Sequence, residues 1–285
     1  MSELNLEYQG VLFPTHVHSV DSLSYSRDHF QVRDDDLFIA TYPKSGTTWM
    51  QEIIPLIYNS GDLTPVLTIP NWRRVPWLEQ VTGKGLLEER PSPRYMVTHL
   101  CHHMMPKTFY SSKAKVIYVA RNPKDALVSS YHYHNMATFL DDPGTFEEFI
   151  DTFLEGKVMF GSWFDHIRSW WPLKDKDNFL FLTYEEMLKD MRGALVKLGA
   201  FVDRPLSEAA MESIANQCKF TNMKQNNMSN YSFVPMEVMD QKKGNFLRKG
   251  IAGDWKNHFT AAQTEHFNSV FARRMEGLNF PYYGD

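Results

Sequence analysis

The chain has 285 residues, of which 43% are hydrophobic and 14% aromatic, so it is long enough to bury a sizeable core. Its formal net charge of −4 argues against a protein that binds nucleic acid through a broad positive surface. Only Cys101 and Cys218 are available for disulfides, and no apolar run reaches the roughly 18 residues that a membrane span needs. The N-terminus also lacks the pattern of a secretory signal, so we expect a cytoplasmic protein that does not enter the membrane.

Four short apolar runs, each bounded by polar or turn residues, predict strands that are covered on both faces. They occupy residues 37–41, 95–98, 116–120 and 179–182. The stretch over 60–94 follows neither the strand nor the helix pattern, and it contains Trp72, Trp77 and several prolines. Long irregular stretches in a compact domain are often binding loops, so we expect one here.

Helical patterns lie between and after these strands, and three of them open with a capping box. The boxes pair Thr145 with Glu148, Thr183 with Glu186, and Thr260 with Gln263. Alternating strands and helices predict an α/β fold, with a central parallel sheet flanked by helices in a single domain over 1–285. Ligands of such sheets bind beyond the carboxyl ends of the strands.

The sharpest motif is the segment TYPKSGTTW over 41–49, which follows the first predicted strand and precedes a helical run. A strand, a tight turn and a helix start bring several free backbone amides together, and Lys44 adds a full positive charge. The segment therefore predicts a phosphate or sulfate site. It is not a Walker A loop, because Lys44 precedes Gly46. The structural alternative is an ordinary turn in which Thr47 only caps the helix.

Three motifs in order resemble those of the cytosolic sulfotransferases: TYPKSGTTW, YVARNPKD over 118–125, and RKGIAGDWK over 248–256. The segments over 160–166 and 228–231 are most similar to the hydroxysteroid, or alcohol, subfamily. The resemblance implies a P-loop-like fold that binds 3′-phosphoadenosine-5′-phosphosulfate (PAPS). It also implies transfer of the sulfuryl group from PAPS to an alcohol, which leaves adenosine 3′,5′-bisphosphate (PAP).

By position in these motifs, the resemblance implies a set of nucleotide-binding residues. An arginine fork and a hydroxyl suit the 3′-phosphate that distinguishes PAPS from ATP, whereas aromatic rings suit the adenine. Lys219 departs from the Ser or Thr that usually precedes the phenylalanine matched by Phe220, so we treat it as a weak contact candidate. The implied set is Lys44, Ser45, Gly46, Thr47, Thr48, Trp49, Arg121, Ser129, Tyr184, Phe220, Phe246, Arg248, Lys249 and Gly250. An alternative for Arg121 is a surface ion pair with Asp125.

The same resemblance implies His99 as the general base and Lys44 as the residue that balances charge on the leaving phosphate. An imidazole is suited to take a proton from an alcohol near neutral pH. A zinc site at His99, Cys101, His102 and His103 would need a second ligand pair, such as His132 and His134, so we expect no metal. Cys101 stands where the family usually has proline.

For the acceptor, the resemblance implies a pocket for a hydrophobic alcohol or sterol, and flat aromatic walls suit such a molecule. The implied acceptor residues are Trp72, Trp77, Tyr133, Met136, Ala137 and Tyr231. The segment from Lys256 to Glu265 resembles the family's dimerisation motif and implies a possible homodimer, although Ala261 stands where valine is usual.

Other functions remain open on the sequence. A P-loop kinase would require the Walker A order and carboxylates that hold magnesium. A Golgi carbohydrate sulfotransferase would require a membrane anchor. A phenol-type sulfotransferase, or a catalytically silent protein that binds PAPS or a steroid, would share most of the motifs.

Overall fold

The fold is built on a parallel sheet, as seen in a computed structural model that describes residues 2–280. An antiparallel hairpin, β1 (Asn5–Tyr8) and β2 (Val11–Pro14), precedes it. The strands of the parallel sheet, which has four in the described range, are β3 (Leu37–Thr41), β4 (Tyr95–Thr98), β5 (Lys115–Ala120) and β6 (Phe179–Thr183). Their spatial order is β4-β3-β5-β6.

Helices cover both faces of this sheet and account for most of the remaining chain. In chain order they are α1 (Val20–Asp28), α2 (Thr47–Tyr58), α3 (Thr64–Thr68), α4 (Asn71–Arg74), α5 (Gly83–Glu88), α6 (Pro123–Met136), α7 (Phe146–Leu154), α8 (Trp163–Trp170), α9 (Tyr184–Lys189), α10 (Met191–Phe201), α11 (Glu208–Gln217), α12 (Phe220–Gln225) and α13 (Ala261–Arg274). Short 3₁₀ helices lie at His102–Met104, Lys107–Ser111, Trp171–Leu173 and Asp254–Asn257. None of the helices in residues 2–280 has the length and apolar character needed to cross a bilayer.

The predicted α/β architecture is confirmed, and the predicted strands agree with the observed ones to within one residue at each end. All three capping boxes are present, at the starts of α7, α9 and α13. The hairpin β1–β2 and helices such as α1 and α8 were not predicted. The irregular stretch over 60–94 contains three short helices, α3, α4 and α5, joined by turns.

Strand β3 shows why the sheet is covered on both faces. Leu37 and Ile39 belong to one apolar cluster, which includes buried residues of α2, α10 and α11. Phe38 and Ala40 belong to a second cluster, which includes aromatic residues of α7, α8 and α13. Side chains alternate along a strand, so an entirely apolar run of this length is buried only between two layers of helices.

The register brings the carboxyl ends of the strands to one edge of the sheet. Ala40 of β3 pairs with Thr98 of β4, and Thr41 pairs with Val119 of β5. The loop after β3 and the residue after β4, which is His99, therefore emerge side by side. This is the edge at which ligands of parallel sheets bind.

Candidate active site

A cavity of about 760 Å³ opens beyond this edge. It is bordered by the loop after β3, by His99 and by the segment that leads from α12 to the C-terminal 3₁₀ helix. The predicted residues that line it are Lys44, Gly46, Thr47, Thr48, Trp49, Trp72, Trp77, His99, Arg121, Ser129, Tyr133, Tyr184, Tyr231, Phe220, Phe246, Arg248, Lys249 and Gly250. The fold thus gathers into one cavity residues that are up to about two hundred positions apart in the chain.

The loop after β3 leaves the first turn of α2 open to an anion. Lys44 and Gly46 have positive φ angles of 67° and 106°, and Gly46 is the N-cap residue of α2. No side chain within residues 2–280 caps this helix, so its first amides are left for another partner. A Cβ atom at Gly46 would lie 3.1 Å from the Tyr184 ring, so glycine is needed for space as well as for φ. The amides and the helix dipole together favour a bound phosphate or sulfate.

Thr47 and Ser45 take different positions in this loop. The Thr47 hydroxyl is hydrogen-bonded to the Thr41 hydroxyl at 2.6 Å, so Thr47 joins the start of α2 to the end of β3 instead of capping the helix. Ser45 is fully buried, and its Oγ has no hydrogen-bond partner in the described part of the chain. Unlike its neighbours, Ser45 is not among the residues over 2–280 that line the cavity.

His99 is held in one tautomer by the loop. Its Nδ1 atom lies 2.6 Å from the carbonyl oxygen of Thr41, and a carbonyl oxygen can only accept a hydrogen bond. Nδ1 therefore carries the proton, and Nε2 carries a lone pair. The ring packs against Trp77 and Phe160, with centroid distances of 4.5 and 4.8 Å. Burial lowers the pKa of His99 to about 3, so the imidazole of the empty site is neutral at pH 7.

Glu79 fixes the backbone of His99 from behind. Its Oε1 atom accepts a hydrogen bond of 2.8 Å from the His99 amide, and its side chain is fully buried. Burial raises the pKa of Glu79 to about 7. Glu79 follows Trp77 in the irregular stretch, where no periodicity or motif draws attention to it. Its role could not be deduced from the sequence, because the contact depends on how that stretch packs against β4.

The Lys44 ammonium group lies between two aromatic rings. Nζ is 4.2 Å from the Tyr133 ring centre and 4.1 Å from the Phe246 ring centre. Removal from water, together with the nearby charges of Arg121 and Arg248, lowers the pKa of Lys44 to about 7. Because the positive charge is crowded by like charges, a bound anion would stabilise it strongly.

Arg121 is directed at the loop and not at Asp125. Its guanidinium donates to the carbonyl oxygens of Lys44, at 2.8 Å, and Ile251, at 3.2 Å, and it stacks on Tyr184. Asp125 instead accepts hydrogen bonds from the backbone amides of Gly253 and Trp255. The alternative of an Arg121–Asp125 ion pair is therefore not what the structure shows. Arg121 Nε has no partner among residues 2–280, which leaves a donor for a ligand.

The segment over 248–254 brings two further cations to the cavity. Asp254 pairs with Arg248 at 2.7 Å and with Lys249 at 2.6 Å. Burial alone would raise the pKa of the Asp254 carboxyl, but hydrogen bonds from Lys249 and Arg248 hold it well below its usual range. Gly250 has φ 68°, and a Cβ atom there would meet the Phe220 ring at 2.1 Å, so only glycine fits between the two cations and that ring.

The aromatic residues expected around an adenine divide into two groups. Trp49 and Tyr184 contact each other, with ring centroids 5.3 Å apart. The ring contacts of Phe246 are with Tyr133 and Tyr231, at 5.6 and 4.1 Å, on the side of the Lys44 ammonium group. In this structure Phe246 is therefore part of the aromatic wall around Lys44 and not of the Trp49–Tyr184 pair.

Met136 and Ala137, which were expected near the acceptor pocket, lie beside the cavity without lining it. They are buried and are not among the residues in the described range that line the cavity. Met136 accepts a hydrogen bond from the Asp240 amide, and Ala137 forms a bridge with Met239, which does line the cavity. The backbone of these two residues therefore anchors the segment over 238–240.

Two of the three departures from the family pattern are Cys101, which follows β4, and Lys219, the N-cap residue of α12. Cys101 has φ −62°, the value that a proline would impose, so the backbone after His99 keeps a proline-like course. Lys219 lies at the rim of the cavity, where Nζ donates to Asn216 at 3.0 Å. Among residues 2–280, no group of three or more His, Cys, Asp or Glu side chains is arranged to hold a metal ion.

Known proteins are similar to this chain along almost its whole length. Residues 34–279 match the family described as Sulfotransferase domain. Sulfotransferase 2B1 of Mus musculus is 50% identical over 276 residues, which cover 96% of this chain and 82% of that protein. The 3-beta-hydroxysteroid sulfotransferase of Cavia porcellus is 42% identical over 277 residues, which cover 97% of this chain and 96% of that protein. The crystal structure of mouse sulfotransferase SULT7A1 complexed with PAP has a TM-score of 0.81 and 33% identity, and the match covers 97% of this chain and 96% of that chain.

The lowered pKa of Lys44 predicts that PAP binding takes up a proton. Below pH 7 Lys44 is already charged in the free protein, whereas above pH 7 it must gain a proton to balance the bound phosphates. Affinity should therefore fall as the pH rises above 7, by up to about tenfold per pH unit. Calorimetry at pH 8 in buffers of different ionisation enthalpy measures the uptake.

The Lys44→Met variant should lose this proton uptake. Lys113→Met, at an exposed lysine, serves as the matched control and should behave as the wild type. Equal proton uptake by the wild type and by Lys44→Met would show that another group titrates.

Proposed function

We propose an acceptor for this chain, which belongs to the sulfotransferase domain family and is a PAPS-dependent sulfotransferase. The proposed acceptor is a hydrophobic alcohol of the hydroxysteroid class. We also propose His99 as the general base. One observation carries this role: the Nδ1–H of His99 donates to Thr41, which leaves the lone pair on Nε2 of a ring that lines the same cavity as Lys44 and the open end of α2.

The residues around the cavity supply separate parts of a nucleotide site. The first amides of α2, with Lys44 and Thr48, suit the 5′-phosphosulfate group, because these donors and this charge border the same cavity. Arg121, with its unpartnered Nε, and the cations over 248–249 suit the 3′-phosphate. The Trp49–Tyr184 pair offers a surface for the adenine.

In the proposed reaction His99 takes the proton that the acceptor hydroxyl loses. The acceptor oxygen forms a bond to sulfur while the bond from sulfur to the oxygen of the 5′-phosphate breaks. Lys44 balances the charge that grows on that leaving oxygen. The negative charge of the bound donor also raises the pKa of His99, because it offsets the like charge of Lys44 and favours the imidazolium.

The acceptor class is proposed from the walls of the cavity and from the relatives. Trp77 and Phe160 pack against His99, and Trp72 and Tyr133 line the same cavity, so its aromatic surfaces suit a flat and rigid molecule. A relative that is 42% identical is named 3-beta-hydroxysteroid sulfotransferase. Both points favour a fused-ring alcohol over a small one.

A panel of acceptors tests the proposed class. Purified protein is incubated with labelled PAPS and with hydroxysteroids, simple phenols and short alcohols, in the presence of a chelator. We expect sulfated hydroxysteroids with the highest kcat/KM, and no effect of the chelator. A preference for phenols would favour a phenol-type enzyme, and no product from any acceptor would favour a protein that only binds PAPS or a steroid.

The His99→Ala variant tests the general base. Loss of a general base lowers kcat by roughly 10²–10⁴-fold, and the affinity for PAP should stay close to that of the wild type because His99 is not part of the proposed nucleotide site. His103→Ala, at an exposed histidine four residues on, is the matched control. Wild-type kcat in His99→Ala would disprove the assignment.

We propose that the chain forms one domain over 1–285 and acts in the cytoplasm. We also propose that two copies associate through the segment from Lys256 to Glu265. Trp255, Lys256 and Phe259 border a groove on this side of α13, with Ala261 at its edge. Two buried cysteines without a disulfide, Cys101 and Cys218, suit a reducing compartment.

Light scattering tests the association. We expect the mass of a dimer at micromolar concentration and the mass of a monomer after Ala261→Glu, because Ala261 is exposed beside the groove and a charge there would be buried on association. Lys197→Glu, on the exposed side of α10, is the control. A monomeric wild type would exclude this interface.

A further inference from the structure

His18 borders the same cavity, although neither the sequence motifs nor the reaction gives it a role. Its Nδ1 atom lies 3.0 Å from the carbonyl oxygen of Pro14, so Nδ1 carries the proton and Nε2 is an acceptor. The side chain is only 2% exposed, and Nε2 has no hydrogen-bond partner within residues 2–280. Burial lowers the pKa of His18 to about 4, so the ring is neutral at pH 7.

Other polar side chains surround His18 at this edge of the cavity. The segments over 16–18 and 80–82 are joined by a hydrogen bond of 3.0 Å from the Val81 amide to the Val17 carbonyl oxygen. We call the polar side chains that these segments give to the cavity the polar edge: His16, His18, Gln80 and Thr82. The rest of the acceptor side is largely aromatic, so the polar edge is where a polar group of the acceptor would bind.

The polar edge lies close to the reacting end of the acceptor. The Phe160 ring is 5.3 Å from His18 and 4.8 Å from His99, measured between ring centroids. The two imidazole rings are therefore at most about 10 Å apart. One fused-ring molecule can span this distance and contact both.

We propose that the acceptor carries a second hydroxyl, and that His18 Nε2 accepts a hydrogen bond from it while His99 acts on the first. This inference rests on the proposed function and narrows it to diols or polyhydroxylated fused-ring alcohols. A buried acceptor without a partner is unfavourable, so a ligand hydroxyl that supplies the missing donor gains affinity. Sites of this kind discriminate strongly against a substrate that lacks the hydroxyl.

The inference is tested with pairs of hydroxysteroids that differ only by one additional hydroxyl, at several ring positions. For at least one pair we expect the wild type to prefer the diol by about tenfold or more in kcat/KM. His18→Phe should abolish this preference and leave kcat/KM for the monohydroxy partner little changed. His18→Gln should keep part of it, because the amide oxygen can replace Nε2 as acceptor.

The ratio within each variant separates recognition from a general structural effect, which would lower both rates alike. Equal losses for diol and monohydroxy partner in His18→Phe, or a wild-type ratio near one for every pair, would overturn the inference but leave the proposed function standing. If His18→Phe does not fold, His18→Leu, which likewise offers no acceptor atom, takes its place. Absence of turnover with any alcohol would overturn both proposals.

Discussion

The hydrogen bond from His99 Nδ1 to the carbonyl oxygen of Thr41 links the two halves of the site. Thr41 ends β3 and leads directly into the anion-binding loop, whereas His99 follows β4, the neighbouring strand. This contact of 2.6 Å fixes the tautomer of His99, the proposed base, and joins its ring to the end of β3, three residues before Lys44. Because both residues leave the rigid edge of a parallel sheet, this arrangement requires no movement of a flexible loop.

The site concentrates positive charge and compensates only part of it. Arg121 and Arg248 lie close enough to Lys44 to depress its pKa, and Asp254 is shared by Arg248 and Lys249. Within residues 2–280, the charged groups that shift the pKa of Lys44 are these two arginines, and its ammonium group lies between two aromatic rings. A multiply charged anion that binds here relieves the repulsion between the cations. This fits a nucleotide with phosphates at both ends.

The sequence was most informative where local chemistry alone decides the outcome. The strands were predictable because apolar runs such as 37–41 can be buried only between two layers of helices. The starts of α7 and α9 were predictable because Thr145 and Thr183 accept hydrogen bonds from free amides nearby. The roles of Glu79 and His18 depend on contacts between distant segments, and no periodicity encodes them. A position in a motif also does not show whether backbone or side chain is used: Met136 and Ala137 support the segment over 238–240 through their backbone and do not line the cavity.

Cys101 illustrates how the geometry after the base is kept without the residue that would enforce it. Its φ of −62° is the angle of a pyrrolidine ring, yet a cysteine leaves the unfolded chain free to adopt many others. The exchange therefore acts chiefly on conformational entropy before folding and lowers stability by roughly 0.4–1 kcal/mol relative to proline. In the folded protein, neighbours of His99 such as Trp77 and Phe160 supply rigidity that a proline ring would otherwise bring.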